Sequence, residues 1–204
     1  PDCKRAVDDA AALLASLGHA VEAAHPAALD EVDEERHFMR MVAAWTAHDL
    51  DAAVTASGVP LQAGDLEPHT AVVCEMGRAV TATDYLRAQV WLQAWARRIA
   101  AWWDDYDLLL TPVAAAPPPL IGQYAATTED PIAPLRGTVP YIAFTAPFNV
   151  TGQPAASLPL YWNEAGLPIG VQLVTRMGDD ATLLALSAQL ERARPWAARR
   201  PPLA

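Results

Sequence analysis

The side chains that could act as nucleophiles are few. The 204 residues contain four serines, Ser16, Ser57, Ser157 and Ser187, and one lysine, Lys4. Nucleophilic catalysis needs such a group activated by a neighbouring base. No serine stands in a Gly-x-Ser-x-Gly elbow and no Ser-x-x-Lys pattern occurs. Lys4 falls in the first turn of a helix, where a solvated charge is expected. The five histidines, His19, His25, His37, His48 and His69, are scattered without the i, i+4 spacing of a helical metal site. No catalytic residue, metal site or cofactor is therefore assigned. One segment is rich in residues that shape backbone, Thr145-Ala-Pro-Phe-Asn149-Val-Thr151-Gly152-Gln153-Pro154. Asn and Gly tolerate left-handed dihedrals, proline fixes φ, and Asn149 and Thr151 can bond the turn they create. Such a turn after a buried strand can hold polar groups at a cleft. From spacing alone, a tight connection with satisfied Asx bonds is the favoured reading.

These residues need elements to position them. A helix is expected over 2–17, with Asp2 capping its first turn and Gly18 after its end. A short strand is expected near Val21. A second helix opens at Asp33-Glu34-Glu35, carries Phe38, Met41, Val42 and Trp45 on one face, and ends or bends near Asp49. A third covers 68–76. Thr81-Ala-Thr-Asp84 matches the capping box and starts the longest helix, whose stripe is Tyr85, Ala88, Leu92, Trp95, Ile99 and Trp102. Core packing is the expected use of that stripe. Asp107-Leu-Leu-Leu-Thr111 reads as a strand buried on both faces and stopped by Pro112. The seven prolines from Pro112 to Pro140 describe a long loop with few helix options. Ala155–Tyr161 and Ile169–Val174 read as strands around an Asn163–Gly166 turn, and a last helix opens at Asp179-Asp180. Helices interleaved with buried strands define an α/β layered domain.

Composition bounds the partners. Hydrophobic residues make up 52% and charged residues 19% of the chain, and no apolar run approaches the roughly 20 residues of a spanning helix. The formal net charge of −10 repels a phosphate backbone, so neither nucleic acid nor membrane is an expected partner. Cys3 and Cys74 give no disulfide framework, which fits reduced thiols and a cytoplasmic location. The chain begins with Pro rather than Met and is expected to be a piece of something longer.

Three segments in this order, Asp107-Leu-Leu-Leu-Thr111-Pro112, Phe148-Asn149-Val-Thr151-Gly152-Gln153-Pro154-Ala-Ala-Ser157-Leu-Pro159 and Gly166-Leu-Pro168-Ile-Gly170-Val-Gln172-Leu-Val174, resemble the C-terminal half of the amidase signature family. Within that family the chain looks most like the bacterial cyclic-dimer hydrolases and aryl acylamidases. The resemblance implies an α/β fold, the C-terminal part of a single amidase domain over 1–204, with a mixed β-sheet covered by α-helices. It implies hydrolysis of carboxylic amides by a serine, a bridging cis-serine and a lysine, all in an N-terminal half that this sequence lacks. The chain would then supply sheet and cleft wall. Its substrate-binding residues would be Thr111, Pro112, Asn149, Thr151 and Gly152, with Phe38, Met41 and Trp45 as an apolar wall. The partners implied are a small-molecule amide and the N-terminal half of the same enzyme, and a homodimer is allowed for. Two other readings stand beside it: an A-type subunit of a tRNA-dependent amidotransferase, and a non-catalytic domain binding a small molecule or a partner.

Overall fold

Three strands form the sheet on which the first part of the molecule is built: β1 (Leu108–Pro112), β2 (Ala155–Trp162) and β3 (Pro168–Thr175). The computed structural model describes residues 1–62 and 64–200. The strand order is β1-β3-β2 and both pairings are antiparallel. The expected α/β layering is present, and within this chain the sheet is antiparallel throughout. Successive strand residues point to opposite faces, so β3 divides into an apolar set, Ile169, Val171 and Leu173, and a second set, Gly170, Gln172 and Val174. The apolar set meets α1 (Asp2–Ser16) and α7 (Asp180–Ala193) in one core, in which Cys3, Ala6, Ala10 and Leu14 pack with Leu158, Leu160, Leu183 and Leu190. Small side chains on α1 let the helix approach the sheet closely. Each buried branched side chain of β3 contributes roughly 1.5–3 kcal/mol.

The chain divides into two compact units. The first comprises Pro1–Leu29, Ile99–Pro119 and the segment from Pro140 onward, and it holds the sheet, α1, α6 (Ala146–Thr151) and α7. The second comprises Asp30–Arg98 and Leu120–Val139, with α2 (Glu34–Ser57), α3 (Pro68–Arg78), most of α4 (Ala82–Ala100) and most of α5 (Ala133–Ile142). In the second unit α2 and α3 pack so closely at Gly77 that a Cβ there would lie 1.9 Å from the Ala43 carbonyl oxygen. The facing residues Ala43 and Ala47 are buried.

Local chemistry explains most boundaries. The Asp84 amide donates to Thr81 Oγ1 at 3.1 Å and the Thr81 hydroxyl donates to the Asp84 carboxylate at 2.7 Å, as the capping box requires. The Thr81 hydrogen bond holds the Asp84 carboxyl below its ordinary pKa. On the α4 stripe, Ala88, Leu92, Trp95 and Ile99 are buried. The Thr182 amide donates to the Asp179 carboxylate at the start of α7.

Five expectations change. Asp2 lies inside α1, behind Pro1, and accepts from Arg5 and Asn163 instead of capping. The Val21 region forms no strand. α2 runs past Asp49 to Ser57, because no helix breaker occurs before Gly58, which terminates it at φ 66°, and at 24 residues it, not the 19-residue α4, is the longest described helix. The proline-rich segment ends in α5, which carries Pro140 inside it. β1 is an edge strand of this sheet with only Leu109 fully buried, because β3 covers one of its two edges. Both cysteines are buried and unpaired.

Candidate functional site

The pairing register places Thr111 and Ser157 on either side of Gln172, one residue from each strand in a row across the sheet. This row occupies the face opposite α1 and α7. Beside it, α6 follows from Thr145, which precedes Pro147 near the helix start, and it ends at Gly152 in the left-handed region with φ 73° and ψ 16°. The Gly152 amide donates to the Phe148 carbonyl at 2.9 Å, which closes the last turn. Between the helix and the sheet lies a cavity of about 350 Å³, with Phe148, Asn149, Gln153, Ser157 and Gln172 in its lining. That volume is at the small end of ligand pockets. No ionisable side chain contributes to its lining.

Two buried amides belong to the cavity lining. Gln172 is 4% exposed, and its Nε2 donates to Thr111 Oγ1 at 3.0 Å and to the Phe144 carbonyl at 2.7 Å. Gln153 is 7% exposed, and its Nε2 donates to the Thr175 carbonyl at 3.1 Å. A main-chain carbonyl only accepts, so these contacts fix both amide orientations. The Gln153 Oε1 is buried without a hydrogen-bond partner among the described residues, and so is Thr151 Oγ1. Buried polar atoms are nearly always paired, so the Gln153 oxygen calls for a donor.

The expected site residues fall in both units. Thr111, Pro112, Asn149, Thr151 and Gly152 belong to the first. Asn149 is exposed and lines the cavity. The Thr111 hydroxyl accepts from Gln172 and donates to the Pro112 carbonyl at 2.9 Å, so it is committed to the scaffold. The expected turn at 149–154 is the end of a helix, stapled by the Gly152 amide; the Asx-type bond expected of Thr151 is not made. Phe38, Met41 and Trp45 belong to the second unit, on α2. Phe38 and Met41 are half-buried and Trp45 is 52% exposed, its indole donating to Tyr85 Oη at 3.0 Å. The buried residues of α2 are His37, Ala43 and Ala47. His37 stacks on Trp91 with ring centroids 4.7 Å apart. Burial, then the charges of Arg36 and Arg40, holds the His37 imidazole below its ordinary pKa. Burial, with Glu35 beside it, raises that of Glu34.

Sequence reasoning does not single out Gln153 or Gln172. A signal exists for Gln172, a polar residue inside an otherwise apolar strand. Their roles depend on the Thr175 and Phe144 carbonyls, which only the tertiary fold brings near. Among the described residues no group of His, Cys, Asp or Glu could hold a metal ion, and no helix is long and apolar enough to cross a membrane.

The chain belongs to the Amidase family, whose model matches residues 1–184. Over its full length it is 35% identical to the 6-aminohexanoate-cyclic-dimer hydrolase of Pseudomonas sp. (strain NK87), of which it covers 42%. It is 47% identical over 104 residues, 51% of the chain, to the putative amidase AmiB2 of Mycobacterium tuberculosis (strain ATCC 25618 / H37Rv), covering 22% of that protein. The solved structure of 6-aminohexanoate cyclic dimer hydrolase complexed with substrate matches 99% of the chain at a TM-score of 0.93 and 34% identity, covering 43% of that structure. A bacterial aryl acylamidase of the amidase signature family shares the fold, with a TM-score of 0.75 at 22% identity over 98% of this chain and 43% of that one. The chain spans less than half the length of these relatives.

Proposed function

We propose that the complete protein hydrolyses carboxylic amides and that this chain supplies part of its sheet and one wall of its substrate cleft. The observation that carries this reading is the match over the whole chain to a hydrolase of a cyclic amide, at 35% identity. The chemistry is assigned to a serine, a bridging cis-serine and a lysine outside this chain, because the described residues offer no nucleophile beside a base. Lys4 supports that assignment: it is exposed on α1 and paired with Asp8 at 2.8 Å. Ser157 lines the cavity, and no lysine or histidine lines it with the serine.

In this reading the substrate is a small, neutral amide. Asn149, Thr151 and Gly152, with Thr111 and Pro112, supply the cleft wall that this chain's first unit contributes. The N-terminal half of the same enzyme is the partner, and a cytoplasmic homodimer belongs to the same reading. Nothing observed favours an amidotransferase subunit: the charge of −10 offers no surface for tRNA. The test is hydrolysis of aryl, aliphatic and cyclic amides by the complete protein. Turnover of at least one class above a buffer blank supports the proposal, and none of any class refutes it.

A further inference from the structure

We infer that Gln172 determines specificity by accepting a hydrogen bond from the N–H of a neutral amide bound in the cavity, a proposal that rests on the amidase reading. The amide orientation carries the inference. The Gln172 nitrogen is held by Thr111 Oγ1 at 3.0 Å and by the Phe144 carbonyl at 2.7 Å. Both of its hydrogens are committed, so Oε1 is the polar atom that Gln172 has left to offer to the cavity it lines. Thr111 cannot swap roles without losing its own bond to the Pro112 carbonyl. The Gln153 amide is oriented likewise, its nitrogen on the Thr175 carbonyl and its buried oxygen without a partner among the described residues.

This chain contributes no ionisable side chain to the cavity lining, so against this wall a charged group would be desolvated without a counter-charge. A neutral N–H donor satisfies an acceptor without moving a charge out of water. A tertiary amide of the same shape offers no hydrogen and leaves the Gln172 oxygen unpaired, which is the stronger source of discrimination. Thr111 is a positioning residue here: its hydroxyl holds the Gln172 amide in the acceptor-out orientation.

The experiment is calorimetric binding of N-butylacetamide and of its N-methyl derivative to the complete protein, to Gln172→Met and to Thr111→Val. Wild type should prefer the N–H ligand by about tenfold, the worth of one hydrogen bond. In Gln172→Met the preference should fall to about onefold, and in Thr111→Val to an intermediate value. An equal affinity of wild type for the two ligands, or an unchanged preference in a folded Gln172→Met, overturns the inference. Should Gln172→Met not fold, the Thr111→Val preference decides: a fall toward equality supports the inference and the wild-type ratio overturns it. Binding is read without turnover. A protein that shows the preference but hydrolyses no amide refutes the amidase reading alone, and an active amidase without it refutes this inference alone.

Discussion

Gly152→Val in the complete protein isolates the contribution of the α6 terminus. Gly152 sits at φ 73° and ψ 16°, where a β-branched residue is strained. A Cβ at that position would meet only Met177 Cε, at 3.5 Å, an ordinary contact. The cost is therefore backbone strain and not a clash, about 1–3 kcal/mol. Any relief must come from rotating the end of α6, which moves Asn149 three residues before and Gln153 one residue after, both in the cavity lining. A loss of about tenfold in kcat/KM corresponds to 1.4 kcal/mol at the transition state. Gly166→Val is the matched control. Gly166 has φ 76° in the β2–β3 turn, where a Cβ would meet nothing within 4 Å, and it has no place in the cavity lining. The two variants should lose similar stability, measured by thermal unfolding, while only Gly152→Val loses kcat/KM on an amide substrate. If both keep wild-type kinetics at equal loss of stability, the α6 terminus is a connection only, and the reasoning that makes it a cleft wall is wrong.

Three further outcomes are expected. Gly77→Ala should destabilise the protein by roughly 2 kcal/mol or more, since its Cβ would fall 1.9 Å from the Ala43 carbonyl oxygen and two helix backbones must separate; an unchanged denaturation midpoint contradicts that packing. Thr81→Ala should cost about 1 kcal/mol by removing the cap on α4, read from chemical denaturation. The His37 pKa is depressed below 6.5 by burial, so its contribution to stability is complete above that pH and is lost as pH falls through the folded-state value. His37→Phe, which keeps a ring on Trp91, should flatten the fall in thermal midpoint as the pH drops below 6.5; an unchanged pH profile shows that His37 is not its source.

Much of the fold is legible in the sequence where one segment contains its own cause. Thr81 and Asp84 start α4 through atoms three residues apart, and the Ala88, Leu92, Trp95, Ile99 stripe predicts its buried face. Gly58, Gly152 and Gly166 all adopt the positive φ that their turns demand. Legibility fails where the cause lies elsewhere in the chain. α6 has only six residues, too few to show a period, and its helix is set by Pro147 near its start and Gly152 at its end. A short strand is expected near Val21, but that region gains no pairing partner in this sheet. The α2 stripe of Phe38, Met41 and Trp45 is apolar by composition, yet Ala43 and Ala47 face α3 because Gly77 brings the backbones together. Thr111 is legible as a candidate site residue; that it acts on Gln172 is not, because they meet only through the β1–β3 register.

The most direct test of the division of labour between this chain and the rest of the enzyme is hydrolysis of 4-nitroacetanilide and of a cyclic amide, compared between the complete protein and the purified 204-residue chain. The expected result is turnover of at least one substrate by the complete protein and none above the buffer blank by the chain alone. Turnover by the 204-residue chain would contradict the claim that it supplies cleft wall without the catalytic groups.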